Sequence, residues 1–306
     1  MSPRERLFAV LAGRPTDRVP IWLLFPYHRT SYYTDVRTNP YYQDLHALSL
    51  QETITLDRRN LSVPIWTPEV MRAWETINDG GSVIRRETIK YGAVHLVGET
   101  RCGPDGSTIK KLLDTVDDLE AYLTLPVETD VGRITAALDA QLPAYRAECA
   151  EFPLSRGAMM LDLGEPIGSL YSAANLNEYP VWSLTHSEAI RRHLDAVMER
   201  YRIIYRYCLE RKLADVYFLV GSELASPPLV SRATFQQWIV PYAQELIAMI
   251  HAYDCKAIQH YHGMIREILP DFLTMAPDAL HTVEAPPTGN CTLREAYEIV
   301  ADRIAL

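Results

Sequence analysis

The sequence predicts an α/β fold, a (β/α)8 TIM barrel, and three observations carry that prediction. From residue 157 onward short apolar runs, Ala158–Leu163, Asp215–Val220, Ala257–Tyr261 and Ala279–Val283, alternate with longer amphipathic runs. Strand–helix units in succession imply parallel strands, because a crossover is needed to bring the chain back to the same end of the sheet. The repeat of roughly 35 to 45 residues, with no GxGxxG fingerprint after any strand, favours a barrel over a dinucleotide-binding sheet. The third observation is bulk: 306 residues with 48% hydrophobic content suit one large core, hence a single domain over residues 1–306.

The elements follow in order. Ser2 to Leu11 reads as an amphipathic helix, with Ser2 as N-cap, Pro3 in the first turn and Glu5 completing a capping box. Gly13 ends it, and Ile21–Phe25 is a short apolar strand. The polar and aromatic loop Tyr27–Tyr33 comes next. Residues 40–110 are the least legible. Within them Ile84–Ile89 and Ala93–Thr100 read as strands of an antiparallel excursion, closed by the turn cluster at Cys102. Thr115 caps a short helix to Leu123, and Asp130 to Cys149 reads as one longer helix. In the alternating part, helices are expected from Thr185 or Ser187 to about Lys212 and from Ser231 to near Tyr253, the second kinked at Pro241. Two more are expected from Met264 to Met275 and from Thr292 to Ala301. Arg303–Leu306 opens a further strand. About six or seven barrel strands can be placed in this way. Either the chain is truncated at its C-terminus, or a strand within residues 40–110 closes the sheet.

Composition excludes several function classes. The net charge is -9, with 39 acidic and 30 basic residues and no basic block, which argues against a nucleic-acid partner. The five cysteines are far apart and form no CxxC, as expected of reduced thiols in the cytoplasm. The N-terminus lacks an apolar signal core, and no apolar run is long enough to span a membrane.

The chemistry-bearing stretch is Lys256–Glu284. A strand puts residues i and i+2 on one face, so His260 and His262 can point together at its end. Parallel strands joined by a helix bring their C-terminal ends side by side, so Glu284 can join them. Two imidazoles and a carboxylate suit a divalent metal with an open position. Glu223, after the strand ending at Val220, is a candidate acid/base or orienting group. Asp162 is a candidate facing the barrel mouth, and Tyr27 and His28 are candidates for a substrate wall. His186, His251 and His281 read as structural or exposed. Tyr201, Tyr205 and Tyr217 read as packing residues.

Several segments resemble the uroporphyrinogen decarboxylase superfamily: Arg4–Pro20, Gly221–Pro228, the Ser231–Tyr242 helix, His260-Tyr-His-Gly263, and the closing Glu284–Ile304. The resemblance spans most of the chain and is strongest from residue 215. It implies a (β/α)8 barrel with its site at the C-terminal strand ends. The decarboxylases of that superfamily carry an Arg-x-x-Gly-Arg segment after the first strand. Here Phe25–Tyr32 holds a single arginine, Arg29, too few cations for a tetrapyrrole with many carboxylates. The other branch comprises corrinoid-linked methyltransferases, whose zinc is held by a His-x-Cys pair and a later Cys. Cobalamin-independent methionine synthase, a related barrel, places a Glu 24 residues after its His, the spacing of His260 and Glu284 here (284 − 260 = 24). His262 stands where that pattern has Cys, and Cys291 is poorly positioned for the late ligand.

The resemblance therefore implies a zinc-dependent (or other divalent-metal) methyltransferase or demethylase. Its methyl group would pass between a small-molecule donor or acceptor, or a thiol, and a corrinoid carried on a partner protein. The chain has no corrinoid-binding motif of its own, and a homodimer is compatible with the fold. A metal-free decarboxylase, supported by an arginine cluster in the mouth, and a non-catalytic barrel are the competing readings.

Overall fold

The computed structural model describes residues 1–23, 38–104 and 106–306. The chain opens with α1 (Pro3–Leu11), whose Ser2/Glu5 capping box forms as expected. Within the poorly legible stretch, α2 (Gln43–Glu52) leads into β1 (Thr55–Asn60). An antiparallel excursion follows: β2 (Met71–Asp79), β3 (Ser82–Tyr91), β4 (Val94–Gly103) and β5 (Gly106–Lys110), paired in that order. Next come α3 (Val116–Leu123), capped by Thr115 and Asp118, then α4 (Val131–Asp139) and α5 (Leu142–Ala150). The expected single helix over Asp130–Cys149 is thus broken near Gln141, where Pro143 enters the first turn of α5 and supplies no amide for a continuous helix.

The alternation then begins: β6 (Gly157–Asp162), α6 (Gly168–Tyr171), α7 (Tyr179–Thr185), α8 (Ser187–Glu210) and β7 (Val216–Leu219). It continues with α9 (Arg232–Trp238), α10 (Val240–His251), β8 (Lys256–His260), α11 (Leu269–Met275), β9 (Ala279–His281) and α12 (Leu293–Val300). The kink expected at Pro241 is a full break between α9 and α10 at Ile239. The helix expected from Met264 begins only at Leu269, with Pro270 in its first turn.

Five strands form one parallel sheet in the order β1-β6-β7-β8-β9. Single parallel bridges extend it at both edges, Trp22 to Ile54 beside β1 and Ala305 to Ala279 beside β9. Residues 40–110 thus contribute one parallel strand, β1, at an edge of the sheet, and among the described residues no strand pairing closes the sheet into a barrel. Strand β1 was hidden because Thr-Leu-Asp-Arg-Arg-Asn carries charges on both faces. On the helix-facing side Asp57 and Arg59 pair with each other at 3.1 Å, and Arg59 also binds Glu148 of α5.

The two faces of the sheet have different cores. Met159, Leu161, Tyr217, Leu219, Ala257 and Leu280 pack outward against the helices. Leu56, Ala158, Met160, Val216, Phe218 and Ile258 pack on one another and on Leu7 and Leu11 of α1. These are the alternate residues of neighbouring strands and share one face, which curls inward far enough for Trp22 at one edge to meet His281 near the other. Trp22, beside one edge, reaches across it to Phe218 of β7 (ring centroids 5.9 Å apart) and to His281 of β9 (5.0 Å). Helix α1 covers the N-terminal end of this concavity, held there by Arg4, which donates to Gly157 O at 2.7 Å and pairs with Asp215 at 3.0 Å. Each fully buried Leu or Phe of these cores contributes roughly 1.5–3 kcal/mol. Among the described residues no helix is long and apolar enough to cross a membrane.

Candidate active site

On the concave face each strand changes character towards its C-terminal end. Leu56 is followed two residues on by Arg58, Met160 by Asp162, Ile258 by His260 and then His262, and Ala279 by His281. Period-two alternation keeps each pair on one side, so apolar residues fill the bottom of the concavity and ionisable residues line its top.

The register of β8 and β9 is set at their starts. Asp278 accepts a bond from Lys256 Nζ at 2.7 Å and from the Ala257 amide at 2.8 Å. That pairing places His260 directly opposite His281. Their Nδ1 atoms are 2.7 Å apart, and the rings stack with centroids separated by 4.8 Å. The His262 ring lies 4.4 Å from His260 and nearly perpendicular to it. Glu284 completes the group: Oε1 is 3.1 Å from His262 Nδ1, and Oε2 accepts the Gly263 amide at 2.7 Å. The structure thus brings His260, His262 and Glu284 together. It adds His281, which the sequence alone marks only as structural or exposed. His281 shares the inward face with Ala279, but a strand of three residues gives too short an alternation to mark it in the sequence.

Electrostatics follow from this packing. Burial, reinforced by neighbouring imidazoles and Arg58, pushes His260 down to about 3 and His281 down to about 4. Both are neutral at pH 7. The Gly263 amide, and then His262, hold the Glu284 carboxyl below its ordinary value. An ionised carboxylate only accepts, so His262 donates through Nδ1, leaving Nε2 with the lone pair in the neutral ring. A carboxylate on the far nitrogen is the arrangement that orients metal-ligating histidines. Among the described residues, however, no group of three or more His, Cys, Asp or Glu side chains is arranged to hold a metal ion.

Asp162 lies at the rim, paired with Arg58 at 2.5 Å. The Arg58 guanidinium sits 5.0 Å from the Phe218 ring centroid, beneath the histidines. Glu223 occupies the loop after β7 and folds back to accept the Gly221 amide at 2.9 Å. Gly221 has φ +109°, and a Cβ there would lie 2.5 Å from Tyr171 Oη, so a glycine is required. Beside Glu223 is Glu165, which the sequence reading did not single out. It is 2% exposed, accepts Ser222 Oγ at 2.7 Å, and is pushed up to about 7 by burial, with Glu223 and Asp162 adding repulsion. His186 and His251 stand apart, beside Glu120 and Asp278 respectively. Tyr27 and His28 lie outside the described residues.

No protein-family profile matches this chain, and no curated protein sequence does. Its fold resembles that of a methyltransferase from Methanosarcina mazei, with 15% sequence identity, a TM-score of 0.55, and coverage of 99% of this chain and 81% of that one. At that identity the likeness defines a shared α/β fold.

Proposed function

We propose that the chain is a methyltransferase- or demethylase-like enzyme of the uroporphyrinogen decarboxylase superfamily, built on a (β/α)8-type barrel. In this reading it moves a methyl group between a small substrate or thiol and a corrinoid on a partner protein. The observation that carries the proposal is the meeting of His260, His262 and Glu284 at the ends of adjacent parallel strands. The fold shared with a methyltransferase agrees with it.

The donor types suit a divalent ion such as zinc, which would have to draw them from their present hydrogen bonds into one ligand set. The His260 and His281 imidazoles are kept unprotonated at the neck of the concavity, and the Glu284 carboxylate near them is kept ionised. His260 and His262 would hold the ion, with Glu284 either completing the set or fixing the His262 ring. A bound zinc would supply Lewis acidity that lowers the pKa of a thiol or alcohol substrate. The chain's own groups do the rest. Gly263 and Glu284 fix the His262 ring, and Arg58 with Asp162 borders the substrate space. Glu165, near its own pKa at pH 7, can hold or release a proton at the loop beside Glu223.

The test is zinc uptake by equilibrium dialysis and elemental analysis, followed by thiol methylation with methylcobalamin. Wild type should bind about one zinc per chain, and the His260→Ala/His262→Ala protein should bind none. A folded wild type that takes up no zinc would sink the metal assignment. A second reading, a metal-free decarboxylase-like enzyme, draws on Arg58, a cation in the mouth able to engage a substrate carboxylate.

A further inference from the structure

A cavity of about 310 Å³ lies between the antiparallel excursion and the α6–α8 side of the parallel sheet. Its walls include Ile65, Trp66, Ile89, Leu112 and Tyr122. The polar groups facing it are unequal. Arg72 is matched by Glu87, which accepts its Nε at 2.5 Å. Arg200 is not matched in this way. It is 6% exposed, and its guanidinium donates to the carbonyls of Pro64 (3.3 Å) and Val63. Among the described residues no carboxylate lies within ion-pair distance of it. Glu128, whose charge reaches it, is itself held by Arg133 at 2.5 Å.

A buried cation whose partners are neutral carbonyls and the face of the Tyr201 ring (centroid 5.4 Å away) is costly unless an anion joins it. The Arg200 guanidinium carries donors in a fixed plane suited to an oxyanion. Around it the apolar and aromatic wall would bury a small hydrocarbon body, and the volume lies in the range of small-molecule sites.

We propose that this cavity binds a small organic anion, with an aromatic or aliphatic body against Trp66 and Tyr122 and a carboxylate, sulfonate or phosphate group on Arg200. The site is separate from the histidine cluster and does not depend on a metal there. Tyr201 links the two regions. It lines the cavity, and its Oη lies 3.0 Å from where a Cβ on Gly164, in the loop after β6, would stand.

The experiment is isothermal titration calorimetry of metal-free full-length protein with benzoate, with benzamide as the uncharged isostere. Two variants accompany it. Arg200→Gln removes the cation. Ser172→Trp fills the lip of the cavity from an exposed position whose hydroxyl bonds only the Gly168 carbonyl at 2.8 Å. Circular dichroism checks that each folds. Wild type should bind benzoate and not benzamide, and both variants should weaken benzoate binding about tenfold or more. If Arg200→Gln fails to fold, because two carbonyls lose their donor, Ser172→Trp decides alone. No benzoate binding by wild type at ~10 mM, equal binding of benzamide, or unchanged binding by a folded variant would each overturn the proposal.

Discussion

His260 and His281 face each other across adjacent parallel strands, with their Nδ1 atoms 2.7 Å apart. Two neutral imidazoles can make that bond only as opposite tautomers, one donating through Nδ1 and the other accepting. A proton added to the acceptor destroys the bond and places charge beside His262 and Arg58, and burial already disfavours that charge. Unfolded histidines titrate near 6.5. Between that value and the folded values of about 3 and about 4, the unfolded chain binds more protons. The pair's contribution is therefore fully present above pH ~6.5 and is lost as pH falls towards those folded values. Replacing His281 with Asn should flatten the stability–pH curve between pH 7 and 4 by roughly 1–3 kcal/mol. Urea titrations of both proteins across that range check it, and parallel curves would show that the pair is not held neutral.

The concave face explains how much of this site was legible. His260, His262 and Glu284 could be read because they end apolar runs whose alternation and order already imply parallel strands. His281 has the same register but lies in a strand of three residues, too short for periodicity to mark it. Arg58 was hidden more deeply, since Asp57 and Arg59 on the opposite face of β1 are buried as an ion pair and remove the apolar signature of a strand. Glu165 looked like an ordinary loop residue after a strand. Only tertiary burial of that loop, with Glu223 and Asp162 nearby and against the opposing bond from Ser222, raises its pKa, and no local pattern encodes that.

Arg58 should tune the histidines from below. Its positive charge is among the causes that lower both His260 and His281. Arg58→Met keeps an apolar contact for Phe218 and removes the charge. Both imidazole pKa values should rise, although burial will still keep them below 6.5. Two-dimensional NMR of the imidazole nitrogens across pH 3 to 7 measures this. Asp162 loses its partner in the same variant, so an Arg58/Asp162 double-mutant cycle should return a coupling of about 1 kcal/mol or more. Unchanged histidine titration would place the cation's effect elsewhere.

Glu165 carries the opposite pH signature. Its folded value of about 7 lies above its ordinary value, so the folded protein binds the extra proton between the two. Stability from this group is present at low pH and lost as pH rises through about 7. Glu165→Gln keeps an acceptor for the Ser222 hydroxyl and cannot ionise. It should stabilise the protein by roughly 2–3 kcal/mol at pH 8 and by little at pH 4. Guanidinium unfolding at the two pH values separates these outcomes, and destabilisation at pH 8 would mean that the charged carboxylate is compensated within the fold. If Glu165 also moves a proton in the reaction, the same variant should lower turnover more than it changes substrate affinity.

Gly289 tests how tightly Glu284 is held. A Cβ at residue 289 would fall 2.1 Å from the Glu284 carbonyl oxygen and 2.7 Å from that of Gly263. Both obstacles are backbone atoms of the two loops that carry the site, so neither can move aside as a flexible side chain would. Gly289→Ala must therefore push the Glu284 loop away from the end of β8. Glu284 then loses the Gly263 amide at 2.7 Å and its contact with His262. The expected cost is about 1–3 kcal/mol of stability. The more specific consequence is electrostatic: the Gly263 amide is the largest cause of the lowered Glu284 pKa, so that carboxyl should titrate higher in the variant. Carbon-detected NMR of the carboxyl group measures it directly. A variant that is destabilised but leaves the Glu284 titration unchanged would mean that the strain relaxes through residues 286–290, with the carboxylate still seated between His262 and Gly263.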